Sequence, residues 1–214
     1  MHIHKETDLI NEKINDLEPY IQALPQCFIS HSESVGEYVQ AMVDKLFGLA
    51  ELKDTAYIKL PMPEKAYLIG RYHDIGKAGI SNAMWEKTSC FSDEEYKLAQ
   101  THTVIGAHFV MPRLSLNKFA EKSDIYAVIA ESCMFHHERW DGSGYPFHLK
   151  GEQIPLYARI VALADCYDAM IEERPYKKQM SKEAALKEIQ RQKGKQFDPV
   201  LTDIFCKVMQ KIRI

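Results

Sequence analysis

Nine histidines are spread through this 214-residue chain, and several stand beside carboxylates. His73-Asp74 runs into Ile75-Gly76-Lys77. An imidazole offers one nitrogen to an ion, whereas a carboxylate can bridge two ions with its two oxygens. Adjacent helical residues point about 100° apart, so the pair can converge on one point only where a helix end comes close to it. Lys77, one turn beyond His73, is near enough to neutralise a phosphate there. Taken alone, a His-Asp pair is more often a surface ion pair or a cap.

His136-His137-Glu138 ends a predicted helix and leads into a Gly-rich loop, where function tends to sit on a rigid scaffold. Asp165 and Asp168 are three apart on an apolar helix and share a face. Flanked by Val161, Ala164 and Met170, such carboxylates must be paired or metal-bound. A buried salt bridge to Arg159 or Arg174 would also satisfy them. His31 lies one turn before Val35 and should face inward; His102 is placed mid-helix. Either one alone reads as a satisfied core histidine.

Together, His31, His73, Asp74, His102, His136, His137 and Asp165 make five imidazoles and two carboxylates. That set suits two divalent ions. Nitrogen and oxygen donors without thiolate favour iron or manganese, and admit zinc, nickel or cobalt. Two such ions a few ångströms apart can clamp a phosphoryl group and make water nucleophilic at neutral pH.

The elements that must carry these residues are helical. Val35, Tyr38, Val39, Met42 and Leu46 recur at helical spacing as one apolar stripe. A second helix leads into Tyr67, Ile69, Tyr72 and Ile75. Ser92 and Glu95 have capping-box spacing, and the helix they start should run past His102 to about Val110, where Pro112 ends it. Further helices are predicted over about 123–137 and after Pro155 through YARIVALADCYDAMI. Ser181 and Gly194 mark the start and stop of another, and Asp198-Pro199 caps the last. Strand alternation is scarce, so the fold expected is an all-α bundle with one long loop, about Glu138 to Pro155.

The formal net charge of -3 argues against non-specific binding to duplex DNA or RNA, so an anionic substrate needs local cations or metal. The five cysteines include no C-x-x-C pair, which disfavours a disulfide framework or a zinc ribbon and suits reduced thiols in the cytoplasm. No apolar run approaches membrane-spanning length, and no membrane association is expected.

His73-Asp74-Ile75-Gly76-Lys77, followed by His136-His137-Glu138-x-x-Asp141-Gly142-x-Gly144-Tyr145-Pro146, resembles the HD-GYP domain, a branch of the HD phosphohydrolase superfamily. The likeness continues through Ile154-Pro155-Leu156, Ala158-Arg159-Ile160, Asp165-x-x-Asp168-Ala169 and Arg174-Pro175-Tyr176 to Phe197-Asp198-Pro199. It divides the chain into an N-terminal helical extension, 1–26, and an HD-GYP domain, 27–214, folded as an HD-domain helical bundle.

The resemblance implies a bacterial cytoplasmic phosphodiesterase that cleaves cyclic di-GMP to linear pGpG and further to GMP. Carried over by position, one metal is held by His31, His73, Asp74 and Asp165. The other is held by Asp74, His102, His136 and His137, with Asp74 bridging. Lys77 contacts the scissile phosphate. Tyr145, Arg174 and Lys177 contact the cyclic dinucleotide, while Asp168 lies near the substrate or behind the ligands. Arg139 and Trp140 are weaker candidates for base or phosphate contacts.

Some members of the family hold a third metal through a Glu one turn before the first His. Cys27 stands there in this chain, as a buried thiol by expectation, so two metals are expected. Extra length between His102 and His137 falls in MPRLSLNKFAEKSD. No receiver or sensor domain is recognised, so control would come from a regulatory protein partner, a homodimer, expression or a region outside this chain. Rival readings are hydrolysis of cyclic GMP-AMP, a catalytically weak cyclic-dinucleotide-binding adaptor, and a nucleotide phosphohydrolase of the wider superfamily.

Overall fold

The computed structural model describes residues 14–49, 57, 62–114, 124–172 and 179–212. Along them run α1 (Glu18–Gln22), α2 (Gln26–Phe47), α3 (Ala66–Arg71), α4 (Asn82–Trp85) and α5 (Asp93–Gln100). These are followed by α6 (His102–Val110), α7 (Ile125–Phe135), α8 (Leu156–Ile171), α9 (Lys182–Arg191) and α10 (Pro199–Met209). Among the described residues there is no strand, only an isolated bridge between Lys193 and Phe197. The expected all-α bundle is what the chain forms. No helix among these residues is long and apolar enough to cross a membrane.

The apolar stripe of α2 explains its central place. Val35, Val39, Met42 and Leu46 are wholly buried, and the helix packs against α3, α8 and α10. Helix α8, buried along most of its length, closes the other side of the core. Ile14, Leu17, Ile21 and Leu24 belong to the same core. Arg71, at the end of α3, ties α1 to α2 through Glu18 at 2.6 Å and Glu33 at 3.1 Å.

Side-chain caps set four of the helix starts among the described residues. Ser92 Oγ accepts from Glu95 N at 3.2 Å, and Glu95 Oε2 accepts from Ser92 N at 2.8 Å, completing the capping box. Asp124 caps α7, and Ser181 caps α9. Gly194, with φ +74°, makes the left-handed turn just beyond α9. Ser92→Ala removes one of the two reciprocal bonds and should cost about 1 kcal/mol. In a chain of this size that lowers Tm by about 2–4 °C. An unchanged thermal melt would show that α5 is held by tertiary contacts alone.

One expected element differs. The helix begun at Ser92 does not run uninterrupted to Val110; α5 stops at Gln100, and α6 begins at His102. Three successive side chains bond backward to carbonyls: Thr101 Oγ1 to Leu98 O at 2.6 Å, His102 Nδ1 to Ala99 O at 2.6 Å, and Thr103 Oγ1 to Gln100 O at 3.0 Å. Such bonds compete with the helical ladder for its acceptors. The break sets His102 at the head of a new helix.

The turn after α3 holds His73-Asp74 and a short 3-10 segment, Ile75–Gly79, seated on α6. Gly76 permits that seat: a Cβ there would lie 1.9 Å from His102 O and 2.4 Å from Gly106 N.

Candidate metal centre

Seven side chains from separate elements meet in the middle of the bundle. His31 comes from α2, His73 and Asp74 from the turn after α3, His102 from α6, His136 and His137 from the end of α7, and Asp165 from α8. Ligand atoms of Asp74, His102, His136 and His137 lie within 4.8 Å of one another, as do those of His31, His73 and Asp165. Asp74 stands between the groups. Its Oδ1 is 3.2 Å from His102 Nε2 and 3.6 Å from His136 Nε2, while Oδ2 is 3.4 Å from His73 Nε2.

Backbone carbonyls fix three of the rings. Nδ1 of His73 faces Gly70 O at 2.7 Å, Nδ1 of His102 faces Ala99 O at 2.6 Å, and Nδ1 of His136 lies 3.0 Å from both Ser132 O and Cys133 O. A carbonyl accepts only, so each Nδ1 carries the proton and each Nε2 presents a lone pair inward. The fit to a cation follows. His102 Nε2 and His136 Nε2 face each other at 3.4 Å as two acceptors. His73 Nε2 and Asp74 Oδ1 are buried without a hydrogen-bond partner. Buried acceptors left unmatched are costly, and a divalent ion among them would satisfy all four.

The charges agree. For Asp74, burial pushes the carboxyl pKa up, but Lys77 and His73 outweigh it and hold it well below its ordinary value. Burial also raises Asp165, while its bond to His31 carries it far below the carboxylate range. Burial would lower His31, yet hydrogen bonds to Asp165 and Asp168 raise it to about 9. Burial depresses His137, with His136 and His102 adding to the effect, so this ring is neutral and fit to ligate.

Asp168 is buried and meets His31 Nδ1 at 2.6 Å. It therefore lies behind a cluster member and is not among the residues that line the neighbouring cavity. His31, Asp168 and Glu172 also meet ligand spacing, but this short hydrogen bond already engages two of them. Arg159 pairs with Asp198 at 2.7 Å and so serves neither Asp165 nor Asp168. Cys27, expected as a buried thiol, is exposed and belongs to no candidate metal group. Arg174 and Lys177 lie outside the described residues.

Lys77 is ion-paired to Asp74. Its ammonium sits 4.4 Å from the centre of the Phe28 ring and 5.6 Å from that of Trp85, whose Nε1 donates to Lys77 O at 3.2 Å. This aromatic clasp had no sequence signal, because Phe28 and Trp85 are remote from each other along the chain.

A cavity of about 780 Å³ opens onto His136, His137 and Asp165. The Gly-rich loop forms one wall. Glu138 is buried and accepts from Phe147 N at 2.7 Å and Leu149 N at 3.0 Å, pinning the loop from within. Gly144 passes so close to the backbone that a Cβ would lie 2.4 Å from Arg139 N. Tyr145, joined to Pro146 by a cis peptide, lays its ring over His137 at 4.8 Å with 22° between the planes. Arg139 lines the cavity with its Nε on Ser143 Oγ at 2.9 Å. Trp140 packs beside Arg159 instead, 5.7 Å from the guanidinium carbon.

With that geometry in place, comparison with known families is decisive: the sequence profile of the HD domain matches residues 15–201. The chain belongs to the HD domain family. The motifs that resemble the HD-GYP branch lie within that matched span. A Vibrio cholerae serotype O1 protein named cyclic di-GMP phosphodiesterase is 36% identical over 185 residues, covering 85% of this chain and 36% of that one. A second protein of that organism, named 3'3'-cGAMP-specific phosphodiesterase 2, is 32% identical over 193 residues, covering 90% of this chain and 34% of its own. Among solved structures, the HDG"Y"P protein Bd1817 of Bdellovibrio bacteriovorus shares the HD-domain fold, with a TM-score of 0.59 at 18% identity. That match covers 86% of this chain and 52% of the other. The HD domain thus spans about a third of the length of these two curated relatives.

Proposed function

We propose that this HD domain is a cyclic dinucleotide phosphodiesterase that holds two divalent metal ions and hydrolyses cyclic di-GMP to linear pGpG and on to GMP, in bacterial second-messenger signalling in the cytoplasm. The observation that carries this reading is Asp74, with its two oxygens directed to two separate donor groups. One site is His31, His73, Asp74 and Asp165; the other is Asp74, His102, His136 and His137. The donor set of nitrogen and oxygen suits iron or manganese. The two ions, when bound, supply charge to the phosphate and make water nucleophilic at neutral pH.

The protein's own contribution is orientation. The carbonyls of Gly70 and Ala99 fix the His73 and His102 rings, and Asp168 fixes His31. Lys77, held by Phe28 and Trp85, would stand beside the scissile phosphate with the metal sites filled. Tyr145 offers a ring to a base at the cavity wall, and Arg174 and Lys177 supply further cationic contacts to the dinucleotide. Asp168→Ala should lower metal affinity or turnover by about 10- to 100-fold, as loss of a partner behind a ligating histidine commonly does. Unchanged metal affinity and rate would show that His31 needs no such support.

The test is anaerobic purification, reconstitution with Fe(II) or Mn(II), elemental analysis, and chromatography of products from cyclic di-GMP. Two metals per chain and release of pGpG are expected. A ratio well below two in active enzyme would contradict the binuclear site. Cyclic GMP-AMP is the second reading, favoured by the similarity to the cGAMP-specific relative, and is assayed alongside. Turnover of neither substrate sinks both.

A further inference from the structure

The cavity has a second wall that no motif marks. Tyr96, Gln100 and Val104 step along α5 and into α6 at four-residue intervals, and Lys97 and Thr101 do the same one residue on. All five line the cavity, as does the Gly-Tyr-Pro loop. Residues four apart fall on one face of a helix, so Tyr96 and Gln100 share a face of α5 with Lys97 beside them, and Thr101 and Val104 join the lining across the break between α5 and α6.

Two members of this lining have no structural occupation. Tyr96 is 55% exposed and stacks on no other ring among the described residues. Tyr96 and Tyr145 line the same cavity, one from α5 and the other from the Gly-Tyr-Pro loop. Lys97 is exposed and makes no ion pair among the described residues. Two of its three acidic neighbours are engaged elsewhere: Glu94 accepts from Ser92 Oγ at 3.0 Å, and Glu95 pairs with Lys87 at 2.6 Å, while Asp93, one turn before Lys97, makes no ion pair with it. The same Glu95 bonds complete the capping box, so Tyr96 and Lys97 are displayed on an anchored helix. Arg139, the other strong cation of the cavity, is turned toward Asp141 at 3.8 Å and bonded to Ser143.

We infer that α5 is the substrate-recognition wall of this site, with the Tyr96 ring stacking on one purine base and the Lys97 ammonium pairing with the phosphate that is not being cleaved. The inference rests on the proposal that the substrate is a cyclic dinucleotide. Such a substrate is a dianion with two flat aromatic bases. The metal cluster accounts for one phosphate, and Tyr145 offers a face to one base. Beyond the contacts proposed for Arg174 and Lys177, the second phosphate and second base can take a further cation and a free ring, and this wall has both. Base stacking on an aromatic side chain is tolerant of sequence, while an exposed cation draws in a phosphate in a salt-dependent way.

Steady-state kinetics with cyclic di-GMP on the full, metal-loaded chain tests this, with wild type, Tyr96→Ala, Tyr96→Phe and Lys97→Gln compared. Tyr96→Ala should raise KM about 10-fold, toward the low end of what a lost base stack costs. Its kcat should stay within about 2-fold of wild type, the signature of lost uniform binding. Tyr96→Phe keeps the ring and should restore the wild-type KM. Lys97→Gln should raise KM at low salt and flatten its rise between about 50 and 300 mM NaCl. Metal content and thermal melting identify any variant that has simply lost its fold; for such a variant Tyr96→Leu and Lys97→Met take its place. Wild-type KM in both Tyr96→Ala and Lys97→Gln overturns the inference. So does a fall in kcat at constant KM, or equal loss in Tyr96→Ala and Tyr96→Phe. A wild-type chain that does not turn over or bind cyclic di-GMP would fail before any variant is compared. That result refutes the substrate assignment itself, and the wall with it.

Discussion

Asp74→Ala is expected to abolish phosphodiester hydrolysis and to lower bound metal to less than one ion per chain. The expected loss exceeds the roughly 10³-fold that removal of a single well-placed electrostatic group costs an enzyme, because both of the proposed metal sites share this residue. Its two oxygens approach His73 on one side and His102 and His136 on the other. Without them, one group keeps three imidazoles, the other keeps His31, His73 and Asp165, and nothing holds two cations close together against their repulsion. Lys77 would also lose its partner. Asp74→Asn separates charge from shape. It keeps one oxygen and the size of the side chain, so it should retain more metal than the alanine variant while remaining nearly inactive. Elemental analysis with turnover under anaerobic conditions reads both. An Asp74→Ala protein that keeps two metals and measurable activity would rule out the shared-carboxylate arrangement.

Asp198→Ala should be the most damaging single change to stability away from the centre. Asp198 is 1% exposed and does three things at once. It caps α10 through Val200 N at 2.8 Å and Leu201 N at 3.1 Å, pairs with Arg159 at 2.7 Å, and accepts from Tyr57 Oη at 3.2 Å. Removing one partner of a buried pair leaves an uncompensated charge and costs about 3–5 kcal/mol. Arg159 Nε is already without a hydrogen-bond partner, so the guanidinium has little else to turn to. Denaturant unfolding of Asp198→Ala, Arg159→Leu and the double variant gives the coupling. The double variant should be more stable than Asp198→Ala alone, because it removes the stranded charge. A loss below about 1 kcal/mol in Asp198→Ala would mean that water reaches Arg159 and that only the cap matters.

The helical plan was legible wherever the cause was local. Ser92, Ser181 and Asp198 act as caps, and Leu156–Ile171 is one helix, because capping and apolar spacing depend on a few neighbouring residues. The seven-residue cluster was legible because His73-Asp74 and His136-His137 are short, unusual combinations, and His31, His102 and Asp165 gained meaning only when set beside them. What stayed hidden was set by contacts remote in sequence. The break at Thr101 depends on three side chains choosing carbonyls over the ladder. The partner of Arg159 lies 39 residues away, and neither Asp165 nor Asp168 is it. Cys27 is on an outer face of the first turn of α2, which apolar spacing alone did not settle. Tyr96 and Lys97 resemble any solvent-facing helix residues until the loop that shares their cavity is in place.

The two donor groups also differ in how much chain must exist before each can form. Asp74, His102, His136 and His137 are all present once synthesis reaches residue 137. The bond between His31 and Asp165 spans 134 residues, and its second partner emerges only with α8. A nascent chain therefore acquires its two donor groups in sequence, the inner one first, and the pair is complete only after most of the domain has left the ribosome. In the proposed binuclear centre the second donor group would therefore be completed late in biosynthesis, and a truncated product ending before α8 would keep the first donor group without Asp165.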